Sequence, residues 1–216
     1  MGDEASKVAA NRSLLARVLR VRPVFLSQVH GTEVLRLSTG IADGLKADAS
    51  LTTQPGLACT VMVADCLPVL LTDARGTVVA SAHAGWRGLA GQNGEGVLER
   101  TIERLRASAP GGSSSDLLAW LGPCIGPLTF EVGGEVRDAF LSQDAAAETL
   151  FKPGSAGKWM ADLPALARLR LRRAGVDRIY GNDGSSRWCT VSNSSRYFSY
   201  RRDRVSGRMA ACVWLD

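Results

Sequence analysis

With 216 residues, 45% of them hydrophobic, the chain can bury one substantial core and is too short for two large domains, so a single domain over residues 1–216 is expected. No run of about 18 apolar residues occurs and the start MGDEASKVAANRSLLARVLR lacks the apolar stretch of a secretory signal, so no membrane partner and a cytoplasmic location are expected. The formal charge of +5 is spread along the chain, which suits a phosphate-bearing small molecule as well as nucleic acid, and no nucleic-acid partner is assigned.

Residues 6–20 carry apolar positions three and four apart and should form a helix, after which Pro23 favours extended chain. Strands are expected over 24–29 and 34–37. From 47 to 84 the chain is β-branched and apolar, broken by the turn compositions Gln54-Pro55-Gly56 and Asp73-Ala74-Arg75-Gly76, which predicts three consecutive strands ending near His83. The stripe Val97, Leu98, Thr101, Ile102, Leu105 predicts a helix over roughly 94–107, closed by a Pro-Gly-Gly-Ser-Ser-Ser run at 110–115 that reads as a flexible tip. Beyond it, 117–121 reads as a strand, 133–142 and 161–174 as helices, and 176–180, 196–200 and 209–215 as strands. In the second helix Arg168 to Arg173 alternate with apolar residues at helical spacing, the pattern of a solvated face. Strands outnumber helices and no repeat is present, so the expected class is α/β with a mixed sheet.

The five cysteines are odd in number, far apart and without a CxxC pair, which fits reduced thiols. The chain has two histidines, His30 in Gln28-Val29-His30-Gly31 and His83 in Ala82-His83-Ala84-Gly85, each at the end of an apolar stretch beside glycine. Cys66 directly follows the strand-like Val61-Met62-Val63, and Pro68 stops continuation of the same hydrogen-bond ladder. Three readings fit these residues. They form a His2Cys zinc site with an open fourth position; or they are hydrogen-bonded histidines and an inert buried thiol; or Cys66 is a nucleophile with His83 as its base. About 35 and about 16 residues separate the three, unlike a compact zinc finger. In Gly85-Trp86-Arg87-Gly88, Arg87 could fork onto phosphate with Trp86 as a stacking wall, or the pair could be packing and surface residues. Gly122 to Pro127 reads as a rigid turn with Cys124 as a packing residue, and Arg201-Arg202-Asp203 as an anion site or, preferably, an ion pair.

The segments QVHGTEV (28–34), ADASLTT (47–53), VMVADCLPVLL (61–71), AHAGWRGLA (82–90), AWLGPCIGPLTFEVGGEV (119–136) and FSYRRDRVSGRMAACVWL (198–215) together resemble the YfiH-like family, also called laccase-domain or multicopper polyphenol oxidase-like proteins. The resemblance implies a single-domain mixed-sheet α-β sandwich in which His30, Cys66 and His83 hold zinc. It implies catalysis by these three and Arg87, with substrate contacts from Arg87, Trp86, Asp65 and Gln28. Members are described as purine nucleoside phosphorylases that also deaminate adenosine, as copper polyphenol oxidases, and in bacteria as editors of peptidoglycan precursors.

The leading expectation is therefore a zinc-dependent purine nucleoside phosphorylase acting on adenosine, inosine, guanosine or methylthioadenosine with phosphate, and deaminating adenosine as well. A single zinc with an open position lowers the pKa of water towards neutrality, as deamination needs, while phosphorolysis needs a cation to orient phosphate, for which Arg87 is the first choice. The alternatives are a peptidoglycan-precursor hydrolase using Cys66 and His83, and a copper polyphenol oxidase (laccase), for which two histidines are too few to bind several coppers. Two departures from the family pattern are visible. The chain starts about forty residues short of the family's usual beginning, without its TRxGGVS-like motif. The stretch Gly91-Gln92-Asn93-Gly94-Glu95-Gly96 is longer than the family's turn and should reshape the pocket near Arg87. The oligomeric state is not assigned.

Overall fold

Helix α1 (Ala5–Leu19) opens the computed structural model, which describes residues 3–109 and 116–216. The Arg12 guanidinium lies 4.2 Å over the Phe25 ring, joining the helix to strand β1 (Arg22–Phe25). Four strands then follow β2 (Val34–Arg36) in quick succession: β3 (Ala49–Thr52), β4 (Leu57–Val63), β5 (Leu67–Asp73) and β6 (Val79–Ala84). The expected three strands over 47–84 become four because Asp65, at φ +97°, makes a third break. Aspartate tolerates that region better than most side chains.

That break moves the chain between sheets. Strand β4 lies centrally in a three-stranded sheet, parallel to β1 and antiparallel to β12 (Met209–Trp214), while β5 enters a six-stranded sheet ordered β11-β7-β5-β6-β3-β2. Here β7 is Leu117–Leu121 and β11 is Arg178–Gly181. Pro68 stands near the start of β5, opposite His83 on β6. The large sheet is mixed: β2 with β3 and β7 with β11 run parallel, the other pairs antiparallel.

One face of this sheet carries α3 (Val97–Ser108) and α5 (Leu163–Arg173), which bury Leu98, Ile102, Leu105, Leu166 and Leu171 against Val69, Leu71, Ala80 and Ala119. The other face carries the smaller sheet. Strands with both faces covered read as continuous apolar runs, and β6 is buried at every position. The architecture is a mixed α/β sandwich. A satellite of β8 (Glu131–Gly133), β9 (Phe151–Pro153) and β10 (Lys158–Ala161), ordered β8-β10-β9, packs beside α4 (Gly134–Leu141); the sequence reading missed these three short strands.

Other expectations also shift. The strand expected over 24–29 ends at Phe25, and the helix expected from 94 begins at Val97 because 91–96 forms a turn. Residues 196–200 are not a strand. Ser199 instead accepts from the Arg202 N–H at 3.2 Å and caps the short helix α6 (Tyr200–Asp203). The basic face of α5 is not wholly solvated, since Arg170 is buried and bonded to Glu99 Oε1 at 2.6 Å, Gln143 Oε1 at 2.8 Å and the Gly94 carbonyl at 2.8 Å. The tip expected at 110–115 lies outside the described residues.

Candidate functional site

The site is built where the two sheets part. His30 lies in the loop after β1 with φ +61°, and Asp48, fully buried just before β3, holds that loop in place. The Asp48 carboxylate accepts backbone N–H groups from Val29 at 3.1 Å, His30 at 2.9 Å and Gly31 at 2.7 Å. Its Oδ1 also meets His83 Nδ1 at 2.8 Å. One carboxylate therefore orients both histidines, and with Nδ1 donating to Asp48, His83 turns Nε2 towards Cys66 and His30.

Cys66 follows the Asp65 break. The Asp65 carboxylate accepts from Thr190 Oγ1 at 2.6 Å and from the Arg201 N–H at 2.6 Å, and its carbonyl accepts from the Ile125 N–H at 2.9 Å. Gln28 brackets Met62: Nε2 donates to the Met62 carbonyl at 2.9 Å and Oε1 accepts the Met62 N–H at 2.8 Å. Its amide thereby continues the pairing that β1 gives up after Phe25. The structure thus engages the polar groups of Gln28 and Asp65 within the protein, where they anchor the loops carrying His30 and Cys66.

These anchors bring the ligand atoms of His30, Cys66 and His83 within 4.8 Å of one another. Cys66 Sγ and His30 Nε2 are 3.7 Å apart. Zn–N and Zn–S bonds of about 2.1 and 2.3 Å at a tetrahedral angle place such atoms about 3.5 Å apart, so the donor set and spacing fit zinc. The burial is graded: His83 lies in the core, Cys66 is half-buried and His30 is exposed, so the cluster opens on one side.

The charges are tuned to each other. Burial pushes the Cys66 thiol up, but the His30 and His83 rings outweigh it and hold the thiol at about 6. Burial pushes His83 down, and the hydrogen bond from Asp48 together with the Cys66 thiolate overrides it, raising His83 to about 9. Burial likewise raises Asp48, but bonds from His83 and the Gly31 and Val29 N–H groups leave it below its ordinary value. At neutral pH the metal-free trio holds a thiolate beside an imidazolium.

Gly85 shows how tightly the cluster is drawn. A Cβ there would lie 2.8 Å from His30 Cδ2 and 3.0 Å from Cys66 Sγ. Because exposed His30 can swing away, Gly85→Ala should leave the fold intact and separate the ligands, lowering zinc affinity by about 10–100-fold. Competition with a chromogenic chelator measures this, and unchanged affinity would contradict the close packing.

A cleft of about 540 Å³ opens beside His30. Trp86 and Arg87, at the start of helix α2 (Trp86–Ala90), line one part of it, with the Arg87 guanidinium 4.5 Å over the Trp86 ring. Gln92, Glu95 and Arg100 line another. Cys124 is buried as a packing residue, and Arg202 pairs with Asp203 at 2.7 Å. Asp48 is the residue that sequence reasoning passed over. Its signal was an acid set among the small apolar residues of Ala47-Asp48-Ala49, where burial demands partners.

The family model described as multi-copper polyphenol oxidoreductase laccase matches residues 1–216. The chain belongs to this YfiH-like family. It is 48% identical over 215 residues to a purine nucleoside phosphorylase of Pseudomonas aeruginosa, covering 99% of this chain and 83% of that protein. It is 47% identical over 216 residues to purine nucleoside phosphorylase YfiH of Escherichia coli strain K12, with the same coverage. Among solved structures, the Neisseria meningitidis protein NMB0706 superposes with TM-score 0.90 at 44% identity, covering 100% of this chain and 84% of that one. YlmD from Geobacillus stearothermophilus gives 0.84 at 29% identity, covering 99% and 82%. The fold of this YfiH-like chain is the fold of those neighbours. No described helix is long and apolar enough to cross a membrane.

Proposed function

We propose that this chain is a zinc-dependent purine nucleoside phosphorylase, in which His30, Cys66 and His83 hold the metal and Arg87 receives phosphate. The observation that carries the reading is that the exposed His30 of the three-residue cluster also lines a cleft whose wall holds an arginine that no carboxylate pairs with among the described residues. The relatives' names supply the reaction. Zinc with an open position supplies Lewis acidity towards an oxygen of water or substrate. Arg87, exposed and supported by Trp86, offers a fork for a phosphate aimed at the anomeric carbon. Asp48 fixes the histidine orientations, while Gln28 and Asp65 hold the loops. Deamination would be a separate displacement, water adding at C6 of adenosine and ammonia leaving to give inosine, for which a zinc held by the three ligands would supply the acidity that activates the water. The five cysteines are free, which suits a reducing compartment such as the cytoplasm.

The Asp48-His83 pair beside Cys66 supports a second reading, a metal-independent thiol hydrolase acting on a peptidoglycan precursor. The deciding experiment measures metal content of the purified protein and release of hypoxanthine from inosine with and without phosphate, before and after chelation. Near one zinc per chain and phosphate-dependent release lost on chelation support the phosphorylase. Hydrolysis of a precursor that survives chelation supports the thiol reading, and copper-dependent oxygen uptake with a phenol would support an oxidase instead.

Zinc uptake should also release protons. Zinc takes neutral imidazole and thiolate, so at about pH 7.5, between the values near 6 for Cys66 and 9 for His83, about one proton should leave, from His83. Release should fall towards zero as pH rises through about 9. As pH drops through about 6, Cys66 adds its own proton and affinity weakens. Calorimetric zinc titrations in buffers of different ionisation heat read the number directly; no release at this pH would contradict the thiolate-imidazolium pair.

A further inference from the structure

The part of the cleft lining that follows α2 is a small, stapled turn. Asn93 and Gly94 have φ +53° and +80°, as the two central residues of a type I′ turn require, and Gln92 and Glu95 exchange backbone hydrogen bonds of 3.2 and 3.0 Å across it. Residues opposed in this way project side chains from one face. Three contacts hold the turn in place. Arg170 donates to the Gly94 carbonyl at 2.8 Å, the Gly96 N–H donates to Glu99 Oε2 at 2.9 Å, and Gly91 packs so closely that a Cβ there would lie 2.0 Å from the Glu95 carbonyl oxygen. Glu95 Oε2 pairs with Arg100 at 2.5 Å, which aims the carboxylate. The Gln92 side chain lines the cleft beside Glu95.

We infer that Glu95, with Gln92 beside it, receives the vicinal 2′,3′-hydroxyls of a ribonucleoside and selects ribose over deoxyribose. This rests on the phosphorylase reading. Within the cleft lining Arg87 has no carboxylate partner among the described residues, whereas Glu95 is offset by Arg100, so phosphate is drawn to Arg87 and the Glu95-Arg100 pair is left for an uncharged group such as a sugar. A sugar diol is the part of a nucleoside that offers two O–H donors to a carboxylate, and Oε1 of Glu95 remains to accept one while the Gln92 amide can meet the second. The 540 Å³ cleft is large enough for a nucleoside. The turn's anchors keep the acceptor from retreating when a hydroxyl is missing, the condition under which a site discriminates against the deoxy analogue.

The experiment compares kcat/KM for inosine, 2′-deoxyinosine and 3′-deoxyinosine in the wild-type protein and in Glu95→Gln, with the thermal midpoint recorded for both. A charge-assisted hydrogen bond predicts that wild type favours inosine by at least about tenfold over either deoxy analogue. Glu95→Gln should lose about tenfold on inosine, change little on the deoxy substrates, and so collapse the preference. Turnover of all three nucleosides with the same ratios in both proteins would overturn the diol site and leave the phosphorylase reading standing. No phosphorolysis of any nucleoside by the wild type would overturn both.

Discussion

Cys66→Ala should strip the protein of zinc and of nucleoside phosphorolysis together. The change removes the one anionic ligand of the trio and leaves two imidazoles, a weaker site than either ligand count or charge requires for a retained catalytic metal. Loss of an outer partner costs about 10–100-fold in metal affinity, so removal of a direct ligand should exceed that, and zinc should disappear on dialysis. The metal-linked part of stability goes with it. With free zinc at about 1,000 times Kd, the wild type gains about 4 kcal/mol over its metal-free form, and the variant should gain almost none. The metal-free variant should fold, because the Cys66 side chain is only half-buried and His83 keeps its Asp48 partner when the thiolate is gone. Elemental analysis and thermal unfolding with and without zinc check both halves. A variant that keeps one zinc per chain would remove Cys66 from the ligand set, and one that loses zinc but keeps turnover would favour chemistry without the metal.

Asp48→Ala should damage the fold and the site at once. The carboxylate is fully buried and accepts from three consecutive backbone N–H groups and from His83. Without it, His83 and the 29–31 loop lose the acceptor that fixes them, and a buried donor left unsatisfied costs about 1–3 kcal/mol. Loss of one partner of a buried charged pair costs about 3–5 kcal/mol, which for a chain of this size lowers the thermal midpoint by roughly 10 °C. Because the His30 loop would relax from its positive φ, zinc affinity should fall even at temperatures where the variant is folded. Asp48→Asn keeps the volume but presents an NH2 to donors, so it should recover packing and not the histidine orientation. A loss of less than about 1 kcal/mol for Asp48→Ala, measured by denaturant unfolding, would show that the loop is held by other contacts.

The separation of these effects locates where function is exposed to change. The ligands are supported from the core side by Asp48, Asp65 and Gln28, and from the cleft side by little beyond Gly85 and the Trp86-Arg87 pair. Substitutions on the cleft side should alter substrate choice with small cost to the fold, while those beneath the ligands should lower stability and metal affinity together.

Much of this protein was legible in the residues alone wherever the deciding interaction is local. The apolar stripe Val97, Leu98, Thr101, Ile102, Leu105 specifies α3 because helical spacing brings those side chains onto one face. The helix expected over 161–174 forms as α5, starting at Leu163 where the Asp162 carboxylate accepts from the Ala165 N–H at 2.9 Å. The candidate trio His30, Cys66 and His83 was nameable through the family resemblance of its motifs, because with about 35 and about 16 residues between them spacing alone left three readings open. What only the tertiary structure decided depends on partners far apart in the chain. Asp48 became the hub of the site through a loop 17 to 19 residues before it and a histidine 35 after it. Arg170 left its expected solvated face because Glu99 and Gly94, over 70 residues away, sit where it can reach them. The strand expected over 196–200 became a capped turn because β-like composition pairs only when a neighbouring edge is present, whereas Ser199 finds its acceptor role three residues away. The short strands of the satellite sheet stayed invisible for the same reason: three- and four-residue strands carry too little periodicity to signal themselves and exist only through their ladder partners.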